Sequence, residues 1–268
     1  MKPRESVFRY SGSEAEMTDH AAALIMAEAW RAVADHGYFS LVLAGGNSPR
    51  PLYQKLARGV STALLRQYNL PLPEGCSSSK SGLLELPEST WLFQGDERAL
   101  PPSHPETNYR MIQETLLRHS SIAPVHLFRM AAEAADSREA AKAYEATIRT
   151  FFLKREPQAL QDFPAFDLVL LGMGDDGHTA SLFMENPDAL QEKSRWVIAV
   201  EAQNARPPGR RLTLTLPLIN HARNILFFTT GKKKAELAEQ IFRKTEKNLP
   251  ASLVKPLNGK LFWFSAQP

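Results

Sequence analysis

The sequence predicts an α/β protein, with a mainly parallel sheet covered by helices on both faces. Three observations carry this expectation. Short apolar runs alternate with stretches of helical periodicity along almost the whole chain. One run, Phe166–Leu171, is nearly continuous rather than alternating, as expected of a strand buried on both faces. Glycine-rich polar segments follow several runs, at the strand ends where open α/β sheets hold ligands. With 268 residues, 43% of them apolar, the chain can bury one large core. No internal repeat or linker interrupts it, so residues 1–268 are expected to form one domain.

Met17, Ala21, Leu24, Ile25, Ala29 and Ala32 recur at helical spacing, and Gly37 is placed to end that helix. Phe39–Leu43 reads as a strand, followed by Ala44-Gly-Gly-Asn-Ser-Pro49. Pro49 suits the first turn of a helix containing Leu52, Tyr53 and Leu56. Residues 59–88 break the rhythm with Pro71, Pro73, Gly75 and Cys76-Ser-Ser-Ser-Lys-Ser81, and read as a surface insertion. Trp91–Gly95 is a strand running into Asp96-Glu97-Arg98. A helix is expected from Asn108 to about His119, and a short strand at Val125–Phe128. Ser137 starts a helix with Ala140, Ala143, Tyr144 and Ile148. After Phe166–Leu171 come strands at Trp196–Val200, Leu212–Leu216 and Ile225–Thr229. Gly231 and a lysine-led helix follow, then a final strand at Leu261–Phe264.

Composition excludes several classes. The formal charge is +3 and the basic residues are scattered, so nucleic acid is not an expected partner. Cys76 is the single cysteine, which excludes an intramolecular disulfide and fits a reducing compartment. The first residues carry no apolar signal-like run, and no run is long enough to span a bilayer, so a cytoplasmic protein is expected. No His, Cys or carboxylate spacing matches a zinc site, and no G-x-S-x-G elbow occurs; neither a metal nor another cofactor is expected.

The densest chemistry follows Phe166–Leu171. Gly172-Met-Gly-Asp-Asp-Gly-His178 places Asp175, Asp176 and His178 at a strand's carboxyl end. An adjacent aspartate can fix the tautomer of His178 and raise its basicity, the setting of a general base. The same residues fit the dinucleotide fingerprint G-x-G-x-x-G, but two carboxylates in the turn would repel a pyrophosphate. Asn186-Pro187 also interrupts the helix that motif needs. Gly45, Gly46, Asn47 and Ser48 offer backbone N–H groups, a hydroxyl and a helix N-terminus, a setting suited to phosphate. Asp96 and Arg98 lie at another strand end. Arg206 precedes a strand, and of the adjoining Arg210 and Arg211 one should face solvent. Lys232-Lys-Lys234 opens a helix at the end where the macrodipole disfavours cations, which an anion sharing the site would explain.

Taken in order, Ala44-Gly-Gly-Asn-Ser-Pro49 with Leu52-Tyr53, Gly95-Asp-Glu-Arg98 with Pro101, His104 and Asn108, Gly172–Phe183, Arg211-Leu-Thr-Leu-Thr-Leu-Pro217, Gly231-Lys-Lys-Lys-Ala235 and Leu249-Pro-Ala-Ser-Leu-Val254 resemble the 6-phosphogluconolactonase family. The resemblance spans about residues 13–264, apart from 59–88. It implies a Rossmann-like fold within the sugar-phosphate isomerase/deaminase superfamily. It also implies metal-free hydrolysis of 6-phospho-D-glucono-1,5-lactone in the pentose phosphate pathway. The chain departs from the family's usual Ser-Thr at Asn47-Ser48, its Lys at Arg206, its Pro at Asp175 and Met184, and an aspartate at Ser265.

The resemblance assigns His178 as general base and Asp176 as its orienting partner. Phosphate is expected against Gly45, Gly46, Asn47 and Ser48, with Lys234 and Arg98 or Arg206 supplying charge. Asp96 is grouped with the substrate-binding residues. Arg206, Arg211 or N–H groups of the 172–177 turn would hold the oxyanion. The expected partner is a phosphorylated sugar lactone, and the expected state a monomer or small homo-oligomer. Glucosamine-6-phosphate deaminases share a similar Asp-Gly-His turn but place a glutamate five residues after the histidine, where this chain has Phe183. A noncatalytic sugar-phosphate sensor is a further alternative, though no helix-turn-helix extension is evident.

Overall fold

The computed structural model describes residues 7–72, 82–156, 163–245 and 249–267. Its order begins β1 (Val7–Ser13), α1 (Glu14–His36), β2 (Phe39–Leu43), α2 (Arg50–Arg58), β3 (Val60–Ser61), α3 (Thr62–Gln67), β4 (Leu83–Leu84), β5 (Thr90–Gln94) and β6 (Asp96–Arg98). It continues through α4 (Asn108–Thr115), β7 (Leu127–Phe128), α5 (Ser137–Arg155), β8 (Leu168–Leu171), α6 (Pro187–Leu190), β9 (Val197–Ala202) and β10 (Gly209–Leu214). The last elements are α7 (Leu216–Asn220), β11 (Asn224–Thr230), α8 (Lys232–Phe242) and β12 (Lys260–Gln267).

Seven strands form one parallel sheet in the order β1-β12-β11-β8-β2-β5-β7. Both faces are covered, as the apolar strands require. Leu41, Leu43, Leu168, Leu170, Leu226, Phe228, Phe262 and Phe264 pack on one side with α1, α2 and α4. Their neighbours Val42, Val169, Leu171, Ile225, Phe227, Leu261 and Trp263 pack on the other with α5, α7 and the β9–β10 pair. This strict alternation is the period-2 geometry of a strand read from its two sides. The strands after β2 progress to β5 and β7 on one side. Those from β8 onward progress to β11 and β12 on the other. The order therefore reverses between β2 and β8, and a crevice opens at their carboxyl ends.

α1 begins with a capping box. Ser13 Oγ accepts from Glu16 N at 3.3 Å, while Glu16 Oε2 accepts from Ser13 N at 2.9 Å. Its small-residue face (Ala21, Ala22, Ala29 and Ala32) is buried against the sheet. No helix among the described residues is long and apolar enough to cross a membrane.

Four expectations are corrected. The strands expected at 196–200 and 212–216 lie outside the parallel sheet, as β9 and β10 of an antiparallel three-stranded sheet with β6. The connection between them is too short for the crossover a parallel pair needs, so they fold back as a hairpin. β1 was not anticipated; it sits at a sheet edge with alternating exposure and no continuous apolar run. Of the run at 125–128 only Leu127 and Phe128 pair, because Pro124–His126 forms a 3₁₀ turn. Finally, the flanks of 59–88 are not superficial. Val60, Leu65, Leu84 and Leu86 join the core, and Trp30 Nε1 donates to Glu85 O at 2.9 Å. The Ser-rich stretch with Cys76 lies outside the described residues.

Candidate active site

The crevice at the β2/β8 reversal is a cavity of about 170 Å³. Its walls come from the loops after β2 (Gly45–Ser48) and β8 (Gly172–His178), from Asp96 and Arg98 of β6, from Arg211 of β10 and from Lys234 of α8. Thus ten of the eleven residues singled out from the sequence meet here or at its rim: Asp176 stands behind His178 rather than in the wall. Arg206 does not line it. It lies in an adjoining cavity of about 300 Å³ with Arg50, Arg98, Gly46 and Asn47.

The turn after β8 is tied down before it delivers its side chains. Gly174 N donates to His178 O at 2.9 Å, and Thr179 Oγ1 donates to Gly172 O at 2.8 Å. A Cβ on Gly174 would sit 2.2 Å from His178 Nδ1, so only glycine lets the backbone pass under the imidazole. His178 Nδ1 lies 2.5 Å from Asp176 Oδ1, and His178 N donates to the same oxygen at 3.1 Å. Burial pushes the Asp176 carboxyl up, but the hydrogen bonds and charge of His178 outweigh it and hold it at about 2. An ionised Asp176 can only accept. The shared proton therefore resides on Nδ1, which leaves Nε2 as the ring nitrogen outside that bond. The Phe183 ring packs against the imidazole with centroids 4.4 Å apart.

The opposite wall gathers two helix N-termini, a pair of hydroxyls and a lysine. α2 and α8 both begin here without a side-chain cap, and the hydroxyls of Ser48 and Thr230 meet at 2.9 Å between them. Of the three lysines opening α8, Lys232 lies 3.9 Å from Glu236 and Lys233 4.0 Å from Asp175. Lys234 has no ion-pair or hydrogen-bond partner among the described residues, and it is the one lining the cavity. Gly45 permits a close approach of another kind: a Cβ there would sit 2.0 Å from Asn108 Oδ1.

The third wall holds buried charge. Asp96 accepts from Asn108 Nδ2 at 3.0 Å and from Ser181 Oγ at 2.6 Å, and lies 3.9 Å from Arg211 Nη1. Both carboxylate oxygens of Asp96 thus have protein partners. Arg211 is 4% exposed while Arg210 reaches outward to Ala135 O and Ser137 Oγ, so the adjoining pair divides as anticipated. The Nε atoms of Arg98 and Arg211 are buried without a partner. Burial pushes the Glu97 carboxyl up against the pull of N–H groups from Asn108, Arg98 and Tyr109 and of Gln94. Glu97 thereby fixes the start of α4 and the turn carrying Arg98. Ser181, Thr213 and Thr230 escaped sequence reasoning as site residues. They carry no local motif of their own, and only the meeting of three separate segments reveals them.

The sequence matches the family described as glucosamine-6-phosphate isomerases/6-phosphogluconolactonase over residues 12–263. It is 35% identical to a 6-phosphogluconolactonase of Synechocystis, over 94% of this chain and 91% of that protein. It is 34% identical to a 6-phosphogluconolactonase of Bos taurus, over 98% and 92% respectively. Among solved structures, the 6-phosphogluconolactonase of Trypanosoma cruzi superimposes with a TM-score of 0.75 at 27% identity, covering 99% of this chain and 96% of that one. A monomeric glucosamine-6-phosphate deaminase shares the fold at a TM-score of 0.68 and 20% identity, covering 97% of each chain. The chain belongs to the glucosamine-6-phosphate isomerase/6-phosphogluconolactonase family.

Proposed function

We propose that the protein hydrolyses 6-phospho-D-glucono-1,5-lactone to 6-phosphogluconate, the lactone step of the pentose phosphate pathway. One observation carries the choice within the family. His178 and Asp176 form a complete base–carboxylate pair, and the position five residues on is a buried phenyl ring against the imidazole rather than a second acid. Ester hydrolysis needs one base and a cation for the oxyanion. Ring opening and amine chemistry need a further acid/base group, and Phe183 cannot supply it.

The phosphate would rest at the uncapped N-termini of α2 and α8, on Ser48 and Lys234, with Arg98 adding charge. Arg206, in the adjoining cavity, would act on the same anion from the rim. Binding energy spent there positions the lactone carbonyl without taking part in the chemistry. His178 Nε2 would remove a proton from a water attacking C1, and the charge that forms on the imidazolium faces the ionised Asp176. Arg211 would hold the oxyanion at the carbonyl. As the tetrahedral intermediate collapses, the C1–O5 bond breaks, and His178 returns its proton to the departing ring oxygen. The whole site is supplied by one chain, so a monomer suffices and a small homo-oligomer is compatible. A cytoplasmic working place fits the single cysteine. The test is acid release from freshly generated 6-phosphogluconolactone, measured against spontaneous hydrolysis, with glucosamine 6-phosphate run in parallel. Ammonia release from the second substrate with no acceleration of the first would favour the deaminase reading.

A further inference from the structure

Three residues beyond His178, the active-site turn is bolted down by a side chain that the chemistry above does not use. Ser181 is fully buried. Its N–H donates to Thr213 Oγ1 on β10 at 3.1 Å, and its hydroxyl donates to Asp96 Oδ2 on β6 at 2.6 Å. The second Asp96 oxygen accepts from Asn108 Nδ2 at 3.0 Å. Both carboxylate oxygens are therefore held before Arg211 is considered. Arg211 Nη1 stands 3.9 Å from Oδ2, beyond hydrogen-bond reach, while Nη2 donates to Pro207 O at 2.9 Å. Its Nε is buried with no partner, and its guanidinium lies 5.7 Å over the Phe183 ring, which packs on His178.

This arrangement is unusual for a buried ion pair. A free carboxylate beside a buried arginine turns to make a two-point contact, which occupies the donors and neutralises the cation. Here the carboxylate is near enough to balance the charge but is kept from closing on it. We propose that Ser181 is a positioning residue: by clamping Asp96 it keeps Arg211 available to the reacting carbonyl and sets the spacing between that cation and His178. The proposal rests on the lactonase reading. Without the Ser181 hydroxyl, Asp96 is free to swing onto Arg211 and draw its donors away from the oxyanion. That loss is felt in the transition state, whereas phosphate held by Ser48 and Lys234 is untouched.

The test is a double-mutant cycle of Ser181→Ala and Asp96→Asn on 6-phosphogluconolactone, corrected for spontaneous hydrolysis. Ser181→Ala is expected to lower kcat about tenfold with KM changed less than about twofold, the signature of an interaction made only in the transition state. In the Asp96→Asn background, where no carboxylate can close on Arg211, the same change should cost less than about twofold. A raised KM at unchanged kcat, or an undiminished effect in the Asp96→Asn background, would overturn the proposal. If the alanine variant does not fold, Ser181→Cys keeps the volume with a weaker donor and is read by the same criteria. If the wild type does not accelerate hydrolysis, the lactonase reading fails. The cycle then passes to calorimetric binding of 6-phosphogluconate, whose carboxylate falls where the lactone carbonyl stood. There Ser181→Ala should weaken binding several-fold only while Asp96 is present, and equal weakening in both backgrounds would reject the clamp.

Discussion

His178→Ala should leave a folded protein that has lost roughly 100-fold or more of kcat, the usual cost of removing a general base. Near-normal turnover with native circular dichroism would move the base elsewhere. Asp176→Asn asks a subtler question. The carboxyl is held at about 2, so it stays ionised throughout the working range and keeps the His178 proton on Nδ1. A depressed folded value adds stability above the ordinary carboxylate range, lost as pH falls toward about 2. An amide cannot fix the tautomer or balance the imidazolium. The variant should fall about tenfold or more in kcat. An unchanged kcat in a well-folded variant would show that Asp176 takes no part. The His178–Asp176 contact was legible in the sequence because both residues sit within one short turn. The Ser181–Asp96–Arg211 contact was not, since its members come from three segments far apart in the chain and declare themselves only in three dimensions.

Two uncapped helices meeting at one crevice argue for an anion there more strongly than either helix alone. Lys234→Ala and Ser48→Ala should weaken the phosphorylated lactone far more than unphosphorylated gluconolactone, by roughly 1.5–3 kcal/mol for a lost charge-assisted contact. Equal losses on the two substrates would place the phosphate elsewhere. Gly45→Ala probes how the loop after β2 rests on α4. Its new Cβ would fall 2.0 Å from Asn108 Oδ1, so Asn108 must leave Asp96 or the loop must shift. A destabilisation of about 1–3 kcal/mol is expected from such overpacking, read by chemical denaturation. The central strands β2, β5, β8, β11 and β12 were legible because strands buried on both faces leave nearly unbroken apolar runs. β1, whose outer face is wet, lacks that signature and was missed; β9 and β10 were read as strands, but an apolar run does not say which sheet it joins or in which direction it pairs.

At the scale of the whole molecule, acid should loosen the core between α1 and the sheet. His20 is buried against the rings of Tyr10, Tyr68 and Phe264, and burial lowers it to about 4 from 6.5. Its native neutrality contributes stability that is fully present above 6.5 and is lost as pH falls toward 4, up to roughly 2–3 kcal/mol. His20→Phe should flatten that part of the pH–stability curve in denaturant titrations; an unaltered slope would assign the acid sensitivity to other groups. Activity should survive exhaustive chelation, because the proposed chemistry is carried by His178, Asp176 and Arg211 alone. Loss on treatment with EDTA and recovery on added metal would contradict this.

The placement of β12 between β11 and β1 has a consequence for biosynthesis. Val7 is in register with Leu261, so the first strand of the sheet can be hydrogen-bonded only after its partner has been made. During synthesis at ~5–20 residues per second, β1 stays unpaired for on the order of tens of seconds. Meanwhile β2, β5, β7 and β8 already have one another as neighbours. Over that interval the nascent chain offers the open edge of β8, and then that of β11, as sites for mispairing with other chains. Assembly of this side of the sheet is consequently a late event with distant contacts to close. A ribosome-stalled chain ending before residue 260 should therefore be digested within β1 by a protease that spares it in the finished protein. Protection of β1 at that stage would mean that it finds a partner other than β12.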